Sequence, residues 1–97
     1  FSYNGDLKIS NAVIQSIAQY VTQLEEGVVK AEASSASVQK LEEKVLQIKI
    51  QISAKHGILL VPLCKNVQEK VKTMIEYMTG MTVEKVDVSV KSLVVVS

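Results

Sequence analysis

The sequence predicts an α+β domain, a two-layer sandwich in the order β-α-β-β-α-β, with two helices packed on one face of a small mixed sheet. Three observations predict it. Apolar residues recur at helical spacing over residues 11–24 and again over 63–78, and a glycine follows each run. Residues 46–54 and 86–90 instead alternate apolar and polar with a period of two. Strands apolar on one face only require helices on that face and leave the other to water.

Taken in order, Tyr3-Asn4-Gly5-Asp6 is a turn-prone opening, and Leu7-Lys8-Ile9 alternates like a short edge strand. Ser10 is placed to cap a helix carrying Val13, Ile14, Ile17, Ala18, Val21 and Leu24, with Gly27 as its left-handed stop. Val28 to Ala33 reads as a strand with Val29, Ala31 and Ala33 on one face. Ser34-Ser35-Ala36-Ser37 reads as a loop, and Val38 to Lys44 as a charged approach to the next element.

That element is the clearest strand of the chain. Leu46, Ile48, Ile50, Ile52 and Ala54 alternate with Gln47, Lys49, Gln51 and Ser53. His56-Gly57 turns the chain, and Pro62 suits a first helical turn, where its missing N–H costs no bond. The long helix then presents Leu63, Val67, Val71, Met74, Ile75 and Met78 as one apolar stripe. Lys65/Glu69 and Lys72/Glu76 face water as i,i+4 pairs. After Gly80, Val86, Val88 and Val90 form a final strand that Leu93 to Val96 extend. The second and third strands, joined without a helix, are expected to pair antiparallel. The long helix permits a right-handed crossover that makes the third and fourth parallel.

The 97 residues, 47% apolar and 22% charged, amount to one domain, 1–97, able to bury roughly 60–68% of its unfolded surface without disulfide or metal. The formal charge of +1 is too small for an electrostatic footprint on nucleic acid or acidic lipid. All eleven basic residues are lysine, so the bidentate fork of arginine is absent. The longest apolar run, Ile58 to Cys64, is far short of the ~20 residues of a membrane span. No signal-peptide pattern opens the chain, and a lone cysteine fits a reducing cytoplasm.

The residues offer little chemistry. Metal binding needs several converging ligands, and one histidine and one cysteine do not supply them, so neither metal nor other cofactor is expected. Cys64 at a helix start, with His56 nearby, has the elements of a nucleophile pair but no third orienting residue. Glu25/Glu26 and Glu42/Glu43 are sequence neighbours, which diverge on a helix or a strand. The element order suggests an alternative, an RNA-binding module of the KH type, yet the G-x-x-G clamp and an aromatic-bearing strand are missing. What remains is surface. Gln47, Lys49, Gln51 and Ser53 with Asp87, Ser89 and Lys91 form a polar sheet face that no helix is left to cover. It is the candidate docking face for another copy or a partner protein, aided by edge strands such as Leu93 to Val96.

Gly5-Asp6-Leu7-Lys8-Ile9-Ser10 with Val13-Ile14 and Ile17-Ala18 is followed by Glu26-Gly27-Val28, then Val67-Gln68-Glu69-Lys70-Val71. Met78-Thr79-Gly80-Met81 with Val83 and Val86-Asp87-Val88-Ser89-Val90 closes the chain. In order and spacing this resembles the alkaline shock protein family, a bacterial domain family named for general and envelope stress. The resemblance implies a non-enzymatic, cytoplasmic scaffold in envelope homeostasis. Some relatives self-associate and sit at the inner face of the cell membrane through a membrane-anchored partner. It brings no catalytic residue, cofactor or small-molecule substrate.

Overall fold

A computed structural model describes residues 9–31 and 36–95. The first expected strand, Leu7 to Ile9, lies outside them except for Ile9, which packs against the core without joining a strand. The elements that follow are α1 (Asn11–Gln23), β1 (Val28–Lys30), β2 (Ala36–Glu42), β3 (Val45–Lys55), α2 (Leu60–Thr79) and β4 (Thr82–Val94).

Ser10 caps α1 as its sequence position requires, its hydroxyl accepting from the Val13 N–H at 3.3 Å. The helix stops at Gln23, not at Gly27. Beyond Gln23 the Glu25 N–H donates to the Thr22 carbonyl, a tighter turn than the helix, and the buried Glu25 carboxylate pairs with Lys70 of α2. Gly27, at φ 101°, turns the chain into β1. A side chain there would also collide with Ile58, whose Cδ1 lies 2.2 Å from the position of a Cβ.

β1 ends at Lys30, and within it Val28 is buried while Val29, expected inside, is exposed, because the register with β3 shifts between Val28 and Lys30; Ala31 is buried as expected, and Ala33 lies outside the described residues. The segment from Ala36 on is not loop and approach but the strand β2, paired antiparallel to β3 from Ala36↔Ile50 to Glu42↔Val45. Ala36 and Val38 point into the core while Ser37, Gln39 and Lys40 stay exposed, so backbone pairing overrides a polar, small-residue composition.

β3 is the centre of the sheet. β4 runs parallel along its whole length, from Val45↔Thr82 to Lys55↔Val94. β1 and β2 therefore share the other side of β3 end to end, as one interrupted edge. The sheet is mixed, and both helices lie on its apolar face, in agreement with the α+β sandwich read from the sequence. Leu46, Ile48, Ile50, Ile52 and Ala54 of β3 meet Ile14, Ala18 and Val21 of α1 and Leu63, Val67, Val71 and Ile75 of α2 in a single core. α2 ends at Gly80, φ 71°, whose N–H donates to the Glu76 carbonyl.

Polar side chains of the two helices reach both sheet edges. From α1, the Gln15 amide donates to the Ala36 carbonyl at 2.9 Å, and Gln23 accepts from the Ala31 N–H at 2.9 Å. From α2, Gln68 donates to the Val86 carbonyl, and Lys72 donates to the Val83 carbonyl, each at 2.9 Å. Glu76 accepts from the Val83 N–H at 2.9 Å and from Lys72 at 2.8 Å. Edge groups so occupied are unavailable to a strand from another molecule.

The Lys72 contact, and then the Val83 N–H, hold the Glu76 carboxyl below its usual pKa. A lowered folded-state pKa favours the ionised form, so this contribution to stability is complete above the unfolded value of about 4.3 and is lost as pH falls through the folded one. In Glu76→Gln, the amide still accepts from Val83 but carries no charge. The melting temperature of the variant is expected to lie below that of the parent at neutral pH and to converge with it in acid. A gap that persists unchanged at low pH would show that the charge is not what holds this corner.

Candidate protein-interaction site

The seven residues read as a docking face all lie on or beside the open side of the sheet. Gln47 stands opposite Lys85, Lys49 opposite Asp87, and Gln51 opposite Ser89. The Ser53 and Ser92 hydroxyls are 2.9 Å apart, and Lys85 approaches Asp87 at 3.6 Å. Lys91 sits exposed between Val90 and Ser92, where β4 shifts register against β3. The face is therefore polar and mildly basic, with one carboxylate near its centre. None of the seven residues is apolar, so contact through them would rest on charge and hydrogen bonding.

His56 is exposed in the turn after β3, and Cys64 is half-buried in the first turns of α2. Burial pushes the Cys64 thiol up, the reverse of what an attacking thiolate needs. The two glutamate pairs separate as expected. Glu25 is buried against Lys70 and Glu26 is exposed, whereas Glu42 and Glu43 both lie at the surface. Among the described residues, no group of three or more His, Cys, Asp or Glu side chains is placed to hold a metal ion. Nor is any helix among them long and apolar enough to cross a membrane.

The second surface is one that the sequence reading assigned to the core. Met74 and Met78 belong to the apolar stripe of α2 by spacing, yet both are exposed, as are Val13 and Leu24 of α1. The reason is geometric. The sheet takes only the Leu63-Val67-Val71-Ile75 row of α2 and the Ile14-Ala18-Val21 row of α1. The next apolar rows face each other over the helix junction and leave a groove of about 880 Å³ between Val13, Ile17, Tyr20, Leu24, Met74 and Met78. Tyr20 is 66% exposed, Leu24 67% and Met78 54%. One signal for it was present in the sequence. α1 contains no charged residue in thirteen positions, which is unusual for a helix with a wet face.

With the geometry in view, the comparisons with known proteins divide between family and fold. The family model for alkaline shock protein 23, described as having a cell envelope-related function, matches residues 33–95, about two thirds of the chain. The chain belongs to this family. The matched alkaline shock protein region runs through β2, β3, α2 and β4, and so includes the seven candidate sheet-face residues and the α2 wall of the groove. No curated protein matches the chain.

Among solved structures, a variant of MamM CTD superposes with a TM-score of 0.67 at 15% identity, covering 81% of this chain and 90% of that one. MamM CTD in a copper form gives 0.66 at 15% identity, with 81% and 92% covered, and in a nickel form 0.66 at 15%, with 81% and 94%. At that identity the likeness shows a shared α+β fold alone. The metals belong to those proteins.

Proposed function

We propose that this alkaline shock protein domain is a non-enzymatic scaffold of the cell envelope, acting from the cytoplasmic side by self-association and by docking a membrane-anchored partner protein. The observation that carries this reading is the distribution of covered and uncovered surface. Helix side chains occupy groups on both sheet edges, while the two broad faces of the sandwich, one polar and one apolar, lie open on opposite sides. Two unlike faces back to back let one small domain hold two neighbours at once. The envelope-related function of the family supports the setting.

Light scattering after size exclusion, over a range of protein concentration and with single-stranded RNA at low and moderate salt, tests the reading against the KH-like alternative. Assembly that grows with concentration and ignores RNA is expected. A strict monomer that changes mass only with RNA, and releases it as salt rises, would replace the scaffold reading.

The sheet face is assigned to the partner. Lys49→Glu with Lys91→Glu reverses two exposed charges without touching the core. A fluorescent fusion carrying both substitutions is expected to leave the membrane periphery for the cell interior while its melting temperature stays within a few degrees of the parent. An unchanged distribution would remove this face from docking.

A further inference from the structure

We propose that the α1/α2 face is the surface through which two copies of this chain associate about a two-fold axis, closing their helix layers into a four-helix arrangement. The proposal rests on the self-association reading above and names its site. A two-fold contact sets every patch against itself, so a patch of one charge sign repels its own copy. This one does not. α1 is uncharged along its whole length, and the α2 wall carries one residue of each sign, Glu69 and the 60% exposed Lys70, which can face each other across the axis.

Exposure points the same way. Val13, Tyr20, Leu24, Met74 and Met78 are all substantially exposed, and Tyr77, 86% exposed, follows on α2. Five of the twelve large apolar side chains exposed among the described residues line this one groove, a concentration that marks an interaction surface. Two methionines and a tyrosine are the side chains best suited to such a contact. Methionine adapts its shape to an opposing surface, and tyrosine contributes area at small entropic cost.

Addition of a strand at a sheet edge is the competing route to a dimer, and it is poorly served. On β4, α2 covers Val83 and Val86, and the register shift at Lys91 divides the rest of the edge into Asp87 to Val90 and Ser92 to Val94. Each stretch is shorter than the ~5–6 residues of a typical strand. On the opposite edge, Gln15 and Gln23 occupy groups of Ala36 and Ala31, β1 is three residues long, and β2 is broken by a register shift between Lys40 and Glu42.

The test uses three forms of the full chain in light scattering from micromolar to millimolar concentration. They are the parent, Tyr20→Glu with Met78→Glu, and Lys49→Glu with Lys91→Glu. The parent and the sheet-face variant are expected to dimerise. The groove variant is expected to dissociate at least about thirtyfold more readily, as when a hot-spot side chain is lost, with its circular dichroism unchanged because both positions are exposed. Mixing it with Tyr20→Lys plus Met78→Lys chains is expected to restore the dimer, since each charge then meets its opposite across the axis.

A parent chain monomeric throughout would overturn this proposal together with the self-association reading. Dimers that survive the groove substitutions but not the sheet-face ones would overturn the proposal and leave that reading standing. A monomer whose methionine methyl resonances shift on adding phospholipid vesicles would give the groove to lipid and overturn it as well.

Discussion

In urea denaturation at concentrations where the chain is monomeric, Ile75→Ala is expected to cost about 2–5 kcal/mol, whereas Met78→Ala, three residues further along the same helix, is expected to cost under about 0.5 kcal/mol. The side chains differ little in size, and sequence spacing puts both on one stripe. Ile75 is fully buried between α2 and the sheet, so its truncation opens a cavity that neighbours on strands cannot close. Met78 stands half in water over the groove, and removing it takes little apolar surface out of a buried place. For a domain of this length each kcal/mol moves the melting temperature by about 4–8 °C, which makes the two variants easy to separate. Comparable losses at both positions would mean that the methionines are core and that the groove does not exist in solution.

The second large effect is expected at Gly27. Alanine there must adopt a φ near 101° and place its Cβ where Ile58 already lies. Left-handed backbone costs a non-glycine residue about 1–2 kcal/mol, and the terminal methyl of half-buried Ile58 must turn aside, which adds up to ~1 kcal/mol. Gly27→Ala is therefore expected to lose about 1–3 kcal/mol. Gly80→Ala supplies the control. Its φ of 71° is also left-handed, but nothing lies near the added Cβ, so only the backbone cost of about 1–2 kcal/mol applies. Equal losses in the two variants would show that the Ile58 contact relaxes at no cost and that the turn is held by φ alone.

Much of the fold was legible because it rests on local patterns. The period of two in β3 determines which residues enter the core, since a strand has only two faces. Ser10 and Gly80 mark helix ends through groups they carry themselves. The polar sheet face was legible for the same reason, as the complement of the buried one.

What escaped the sequence reading depends on partners distant along the chain. Ala36 to Glu42 looks like a loop and a charged approach until β3 offers it a ladder. α1 stops at Gln23, and Glu25 just beyond it is buried against Lys70, 45 positions away. The groove is the clearest case. Helical spacing states that Met74, Ile75 and Met78 share an apolar side, but a helix side is wider than the strip a sheet can cover.

By itself, then, the sequence determined the class of the domain, the two helices, the central strand and the face that stays wet, because each follows from period and composition. Only the tertiary structure decided which apolar rows are core and which remain open, and that the sheet edges are guarded by side chains of the helices. Those outcomes depend on how far one layer reaches over another, a distance set jointly by all the packed elements and written in no single segment.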